Sequence, residues 1–321
     1  MNSLTMGLIN NRPSLPSKAF NWISRNNVGN NINSIATNGT VFVSVGEWDT
    51  IKRSLDGITW NEVTSFAFNF DHFFCVIWSI NRFIAVGNSS YIYTSPDGLI
   101  WTPIIHGLGA GIPFRGITNF GGVLYLTSAF GQIYTSNNNG NTWTLSTSLG
   151  HGLFNIITVN FTNVKLITIG REEGAIHTSN DGITWVLRYN RFKITHDIHF
   201  NASSSTVVCV GEMGSFAFST DGITWNELGV VTDGLFVGID FMCKTISSNA
   251  NGWVLLGYRD FGSFTSQNLF LSSNNLTLWV RETNTPFVSE PIWGFNDVIW
   301  ETTRNIYVSV GESGLVYTSN R

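Results

Sequence analysis

TSNDGITW, residues 178–185, is one copy of a phrase that recurs along the chain. The other copies are RSLDGITW (53–60), TSPDGLIW (94–101), TSNNNGNTW (135–143), FSTDGITW (218–225) and LSSNNLTLW (271–279). The first five closing tryptophans follow one another at intervals of 40 to 42 residues, and the sixth, Trp279, comes 54 residues after Trp225. A period of about 40 to 45 residues is typical of repeat architectures.

Each phrase has the composition of a tight turn between two strands. The Ser or Thr hydroxyl and the Asp or Asn side chain can bind backbone N–H groups, and Gly supplies the positive φ of the reversal. The Thr and Trp that follow favour a new strand, and the indole offers a large apolar surface to a neighbouring unit. We therefore expect the Asp residues of the phrases to be structural rather than catalytic.

Two further strand-like runs precede each phrase. In the third unit they are RGITNF and VLYLTS, separated by the Gly121-Gly122 turn; in the fifth they are DIHFNA and VVCVG, followed by FAFST and TWNEL. Long helical periodicity is absent from the sequence. Four short strands per period, repeated radially, predict the blades of an all-β propeller.

The two ends of the sequence predict the number of blades. Residues 307–320, YVSVGESGLVYTSN, repeat the second and third strands of a blade and stop before a Trp. KAFNWISR, around Trp22, resembles an outer strand without its preceding turn. The sequence thus predicts seven four-stranded blades over residues 18–321, the last completed by an N-terminal strand, and a short arm over residues 1–17.

The phrases resemble the Asp-box (BNR) repeat S-x-D-x-G-x-T-W of sialidase-like propellers. SNNNGNTW, 136–143, keeps that spacing with Asn138 in the Asp position, whereas the Asp-containing copies are one residue shorter, and 273–279 lacks both Asp and Gly. The resemblance covers nearly the whole chain, and the blade pattern is also similar to the photosystem II assembly factor type. It implies a propeller, with either glycosidase activity or a protein-binding face.

Composition excludes several classes of partner. Charged residues are 12% of the 321 and the formal net charge is −4, so the clustered Lys and Arg of a nucleic-acid-binding protein are missing. No apolar run is long enough to span a bilayer, and the first 18 residues lack the pattern of a signal peptide. Cys75, Cys209 and Cys243 are dispersed, which predicts buried thiols rather than disulfides or zinc ligands. We expect no cofactor and no metal.

The candidate binding site lies on the face opposite the repeated turns, where the other loops meet the channel. Val-Gly-Glu recurs there at Glu47, Glu212 and Glu312, and the starts of the inner strands are predicted to align Asn33, Arg115, Asn155, Asp197 and Asp297 around the channel mouth. Carboxylates, amides and a guanidinium beside exposed aromatic rings suit a sugar. The alternative is that these groups are solvated loop residues. The predicted ligand-binding residues are Glu47, Trp48, Arg115, Asp197, Glu212, Tyr258, Trp293, Asp297 and Glu312.

Three functions are compatible with such a face. The first function is that of a bacteriophage virion protein, because such proteins have a similar abundance of Asn, Ser, Thr and Gly, a similarly low charge and a short arm. The chain would then be a non-catalytic tail or surface protein, located in the virion, that contacts a cell-surface glycan or another virion protein. The second is a glycoside hydrolase using Asp197 and Asp297, whose separation would have to be about 6.5 to 9.5 Å for an inverting mechanism. Sialidase activity fits poorly, because the three arginines that the family uses are represented at the inner-strand starts by Arg115 alone. The third is a protein-binding assembly factor.

Overall fold

Each repeat unit folds into one four-stranded antiparallel sheet, and the sheets form a closed ring. The computed structural model describes residues 20–26, 29–64, 71–89, 91–109, 111–170, 174–190, 194–227, 241–260, 266–276, 279–282 and 294–320. Within them are seven such sheets, which confirms the predicted seven-bladed all-β propeller. Two single-turn 3₁₀ helices, Glu212–Gly214 and Glu312–Gly314, are its helical segments among these residues.

The blades are numbered in chain order, and the strands of each run outward from the channel. Blades 1 to 3 contain β2 (Ile32–Thr37), β3 (Phe42–Gly46), β4 (Ile51–Ser54) and β5 (Asn61–Glu62); β6 (Phe73–Ser79), β7 (Arg82–Gly87), β8 (Tyr91–Ser95) and β9 (Thr102–Ile105); and β10 (Phe114–Phe120), β11 (Val123–Ser128), β12 (Gln132–Ser136) and β13 (Thr144–Ser148). Blades 4 and 5 contain β14 (Leu153–Thr158), β15 (Leu166–Gly170), β16 (Ile176–Ser179) and β17 (Val186–Tyr189); and β18 (Thr195–Asn201), β19 (Thr206–Gly211), β20 (Phe216–Ser219) and β21 (Asn226–Glu227). Blades 6 and 7 contain β22 (Phe241–Asn249), β23 (Gly252–Asp260), β24 (Ser266–Ser273) and β25 (Val280–Arg281); and β26 (Phe295–Glu301), β27 (Ile306–Gly311), β28 (Val316–Asn320) and β1 (Asn21–Asn26).

The hydrophobic core lies between neighbouring blades rather than inside any one of them. The second strands are mostly apolar and almost entirely buried, and LITIG of β15 is buried at every position. One apolar cluster joins Val43 and Val45 of blade 1 to Phe73, Tyr93 and Trp101 of blade 2. Because each blade covers its neighbour, a blade that lost its partner would expose an apolar face.

The repeated turns are held by their own side chains, which confirms the predicted turn chemistry. At residues 179–185, Ser179 Oγ accepts the amide of Gly182 at 2.8 Å. Asp181 Oδ1 accepts the amides of Ile183 and Thr184, each at 2.8 Å, and these bonds lower the pKa of Asp181. Trp185 Nε1 donates to the carbonyl of Gly182, whose φ is +75°. The carboxylate is thus occupied by backbone donors.

The ring is closed by the N-terminal strand, in agreement with the prediction. β1 pairs antiparallel with β28, so that Asn21 lies opposite Asn320 and Trp22 opposite Ser319. Trp22 is 2% exposed and its ring lies 4.9 Å from that of Phe270 in blade 6. The predicted arm, residues 1–17, lies outside the described residues.

Every innermost strand carries a β-bulge near its start. In all seven blades the pairing with the second strand shifts register across one extra residue, which locally twists the strand and changes the direction of the following side chain. We call these extra residues the mouth layer: Asn33, Phe74, Arg115, Phe154, His196, Lys244 and Asn296. We call the residues that follow them the waist layer: Ser34, Cys75, Gly116, Asn155, Asp197, Thr245 and Asp297.

Candidate functional site: the two ends of the central channel

The predicted ring of polar residues at the channel mouth is two layers rather than one. Asn33 and Arg115 belong to the mouth layer, whereas Asn155, Asp197 and Asp297 belong to the waist layer one residue further along their strands. Strand starts alone do not show the two layers, since the bulge moves a side chain by one position. The predicted residues nevertheless border one small cavity together, namely Asn33, Arg115, Asn155, Asp197 and Asp297. Arg115 and the two aspartates therefore lie at different depths.

The mouth layer surrounds a small polar cavity of about 140 Å³. Asn33, Arg115, His196 and Asn296 line it together with the rings of Phe74 and Phe154, and the waist residues Ser34, Cys75, Asn155, Asp197 and Asp297 also border it. The Arg115 guanidinium stacks on Phe74, with its carbon 3.8 Å from the ring centroid. The mouth therefore offers amide groups, a cation and aromatic surface at the same level.

The Val-Gly-Glu repeat has a packing origin. A Cβ at Gly46 would overlap the carbonyl oxygen of Asn31, and one at Gly211 would overlap that of Ile194, so the end of each second strand lies directly against the backbone before the inner strand. The amide of the following residue then donates to that same carbonyl, as Glu47 does to Asn31 at 2.9 Å. Glycine is required for this close approach, and it sets the glutamates on the rim of the mouth.

The three rim glutamates form an acidic crescent around Lys244. We use this name for Glu47, Glu212 and Glu312, which come from blades 1, 5 and 7. Burial lowers the pKa of Lys244, and the charges of Glu312 and Glu212 oppose that shift. Burial raises the pKa of Glu312 to about 7, with Lys244 lowering it and Glu47 raising it further. Glu212 and Glu312 share the ammonium group of Lys244, and Glu47 adds a third charge beside Glu312, so the crescent attracts cations when all three carboxylates are ionised.

The three predicted stacking residues do not form one platform. Trp48 is 53% exposed, with a left-handed φ of 54°, and its ring lies 4.8 Å from that of His72. Tyr258 is half-buried, and the Lys244 ammonium lies 5.7 Å from its ring centroid. Trp293 lies outside the described residues. Among the described residues of the rim, Trp48 thus presents an exposed indole.

The waist aspartates join neighbouring inner strands. Asp197 Oδ2 accepts from the Thr245 hydroxyl at 2.9 Å and the Ile246 amide at 3.0 Å, both in blade 6. Burial and the nearby charge of Asp297 raise the pKa of Asp197 to about 7. Burial also raises the pKa of Asp297 to about 6. No feature of the sequence indicates that the pKa values of these two aspartates are raised.

A much larger cavity lies on the other side of the waist and was not predicted. This chamber, of about 800 Å³, extends from Asp197 and Asp297 to the turns that follow the inner strands. Those turns lie on the same face of the propeller as the repeated turns. The first and third strands of a blade run in the same direction, and each of the two kinds of turn follows one of them. Trp78, Phe200 and Trp300 contribute aromatic walls. Two sequence signals could have indicated this chamber. They are the Ile or Val that follows each waist residue and the aromatic residues further along the inner strands.

The described residues contain three thiols, none of which forms a disulfide within this part of the chain. Cys209 and Cys243 are buried and free, as predicted, while Cys75 is half-buried in the waist. No group of three or more His, Cys, Asp or Glu side chains in this part of the chain is arranged to hold a metal ion. A search of its helices for one long and apolar enough to cross a bilayer finds none.

The closed ring of seven blades with a lined channel defines a β-propeller, a class in which a rigid scaffold presents loops and a channel. The chain belongs to the DUF6242 β-propeller domain family, whose model matches residues 76–320. A comparison with curated proteins finds no match.

Solved structures with the same fold have very different descriptions. YCF48 bound to D1 peptide is 17% identical, with 96% of this chain and 97% of that chain covered and a TM-score of 0.74. The RRP9 WD40 repeats are 12% identical, with 95% and 99% covered and a TM-score of 0.72. A catalytically inactive virginiamycin B lyase from Staphylococcus aureus, with quinupristin, is 13% identical, with 94% and 99% covered and a TM-score of 0.73. These likenesses establish the fold alone, and none of the three descriptions mentions an Asp-box or a virion.

Proposed function

We propose that this propeller is a non-catalytic binding module that holds an extended segment of a protein partner across the channel mouth. The observation that carries the proposal is the mouth layer, in which seven bulges bring one extra side chain each to the entrance of the channel. Amides, aromatic rings and a guanidinium at one level can bind both the backbone and the side chains of a peptide. A protein partner also agrees with the description of YCF48, a propeller of similar fold, as bound to D1 peptide.

The charges around the mouth indicate the kind of peptide. The acidic crescent carries three carboxylates against the single ammonium of Lys244, whereas Arg115 stacks on Phe74 in blades 2 and 3. A basic side chain of the partner would bind beside Glu312 and Glu47. Complementary charge of this kind sets the orientation and the association rate of a bound segment.

Selection from a random linear peptide library on the immobilised propeller tests this function. We expect enriched peptides to contain Lys or Arg and to bind about ten-fold more weakly to Glu47→Gln/Glu312→Gln, a loss of about 1.4 kcal/mol. Glu62→Gln is the matched control, because Glu62 is exposed on the outer strand β5 of blade 1, away from the channel. Binding to that control should be unchanged.

Two results would overturn the proposal. One is the absence of any enriched peptide, and the other is enriched peptides that bind equally to the native chain, to Glu47→Gln/Glu312→Gln and to Arg115→Gln. A circular dichroism melt of each variant separates lost binding from lost folding.

A glycan is the second candidate ligand, and the exposed indole of Trp48 favours it. An indole on a polar rim can stack on the apolar face of a sugar ring. A glycan array with the native chain and Trp48→Ala examines this candidate, and product analysis of any bound oligosaccharide examines the hydrolase alternative of Asp197 and Asp297. The assignment to a phage virion remains a sequence-based prediction, and so does the glycan.

A further inference from the structure

We propose that the chamber on the turn face is a separate binding site for a small organic cation, a primary amine or an amidinium on an apolar body. The chamber has a volume of about 800 Å³, within the range of ligand pockets of about 300 to 1,000 Å³. It shares Asp197 and Asp297 with the mouth cavity but extends to the opposite face, so variants on one side or the other distinguish a chamber ligand from a mouth ligand.

The charge of the chamber selects for cations. Its described lining contains two aspartates, Asp197 and Asp297, and contains no Lys, Arg or Glu. Among the described residues, no salt bridge joins either carboxylate to a basic side chain. Within the described residues, hydroxyl and amide donors of the neighbouring inner strands bind both carboxylates, and Arg115 lines the mouth cavity beside them.

The two carboxylates also repel each other, and a cation between them would relieve the repulsion. Asp197 and Asp297 line the same cavities on both sides of the waist, and the charge of Asp297 contributes to raising the pKa of Asp197. A ligand that brings one positive charge is attracted by both carboxylates and favours their ionised forms. A bound cation is therefore stabilised by both carboxylates.

The walls suit the apolar body of such a ligand. The indoles of Trp78 and Trp300 line the chamber, and each is positioned from behind, Trp78 by Phe83 and Trp300 by Tyr307, both with ring centroids at 4.7 Å. Aromatic faces attract ammonium and guanidinium groups and also pack against hydrocarbon. The ligand would enter from the turn face with its charged end toward the waist.

Other titratable groups near the two carboxylates stay uncharged or lie on the mouth side. Burial raises the pKa of Cys75 to about 12 and lowers the pKa of His199 to about 4, so near neutral pH both are neutral. His199 Nε2 is within hydrogen-bonding distance of Ser248 Oγ, at 3.0 Å. His196 and Arg115 line the mouth cavity. The pH dependence of cation binding should therefore follow Asp197 and Asp297.

Calorimetry with benzamidine and with benzamide, its neutral analogue, tests the site. At pH 8 we expect benzamidine to bind the native chain about ten-fold more tightly than benzamide, and this preference to decrease as the pH falls to 5. Asp197→Asn/Asp297→Asn should remove the preference. Asparagine already occupies the waist layer at Asn155, where its side chain accepts the amide of Ile156 at 2.8 Å. At positions 197 and 297 it can keep this bond to the following amide but not those of the second oxygen, so a circular dichroism melt must first show that the double variant folds.

A second variant places the ligand in the chamber rather than the mouth. Trp300→Leu should weaken benzamidine binding several-fold, whereas Glu62→Gln, on the exposed outer strand of blade 1, should not weaken it. Equal binding of benzamidine and benzamide would overturn the proposal, as would no binding at all, or a preference that survives in the folded aspartate double variant. A loss with Glu47→Gln/Glu312→Gln but not with Trp300→Leu would move the ligand to the mouth and would equally overturn the chamber site.

Discussion

Asp297 Oδ2 accepts a hydrogen bond of 2.9 Å from the backbone amide of Ile35, which joins the last blade to the first at the inner wall of the ring. The same oxygen accepts from the Ser34 hydroxyl at 3.0 Å. Blades 5 and 6 are joined in the same way by Asp197 and Ile246. The ring is thus closed twice at its last blade, by a strand at the outside and by a carboxylate at the channel.

The first prediction concerns this inner closure. Asp297→Ala leaves the amide of Ile35 and the hydroxyl of Ser34 without their acceptor, and we expect it to lower the free energy of unfolding by about 1.5 to 3 kcal/mol. Asp297→Asn keeps one acceptor oxygen and should cost less. Guanidinium unfolding of both variants measures the difference. Equal stability of the alanine variant and the native chain would show that the bonds contribute nothing to closure.

The second prediction concerns the outer closure. Trp22→Ala removes a fully buried indole that contacts Phe270 and Tyr307, and it should cost about 3 to 5 kcal/mol. Deletion of residues 18–26 should also expose the edge of β28 and promote aggregation. Light scattering during a thermal melt detects both effects. A melt that is unchanged by the deletion would contradict closure by β1.

A third prediction separates the tryptophans of the repeated turns. Trp101 is 4% exposed, whereas Trp185 is only half-buried. Trp101→Ala should therefore cost about 3 to 5 kcal/mol, and Trp185→Ala distinctly less. Chemical unfolding of the two variants side by side tests the ranking. The reverse order would mean that the turn hydrogen bonds, rather than burial, determine what these indoles contribute.

The fourth prediction follows from the raised pKa values of Asp197, about 7, and Asp297, about 6. A raised pKa means that the folded state binds protons more tightly than the unfolded chain, so these two groups reduce stability as the pH rises from about 4 to 7. The difference in melting temperature between Asp197→Asn/Asp297→Asn and the native chain should therefore shift in favour of the variant from pH 5 to pH 8. A difference independent of pH would refute the raised values. Comparing the two proteins cancels the opposite contributions of the buried histidines.

A fifth prediction tests the Val-Gly-Glu repeat. Gly46→Ala would force a Cβ against the carbonyl of Asn31 and should destabilise the propeller by about 1 to 3 kcal/mol or more. It should also displace Glu47 and so weaken any ligand of the mouth. Thermal melting and peptide binding measure the two effects. Native behaviour in both would mean that the strand end can move at little cost.

The ring could be predicted from sequence because each turn carries its own chemistry. The Ser, Asp and Gly of 179–182 specify a turn locally, and the tryptophan spacing then fixes the length of a blade. Even the closing strand could be identified, because Trp22 occupies the position of a missing turn tryptophan. The turns depend on residues close together in the chain, and the closing strand is recognised because it repeats their pattern, which is why one sequence was sufficient.

The channel could not be predicted to the same extent. Whether Arg115 and Asp197 share a level depends on a one-residue bulge, which changes the register without any special residue type. The volume of the chamber depends on the tilt and separation of seven inner strands, and no local pattern encodes these. The repeated Ile or Val after the waist layer, at Ile35, Ile117 and Ile198 among others, could have provided the register if the inner strands had been aligned on it.

Closure by β1 has a consequence for biosynthesis. The segment Asn21–Asn26 is synthesised long before Val316–Asn320, the strand β28 with which it pairs. Until β28 is made, the indole of Trp22 lacks the cover that it has in the closed ring, and contacts of such long sequence separation form slowly. An apolar strand without its partner can pair with other molecules in the meantime, so aggregation competes with ring closure.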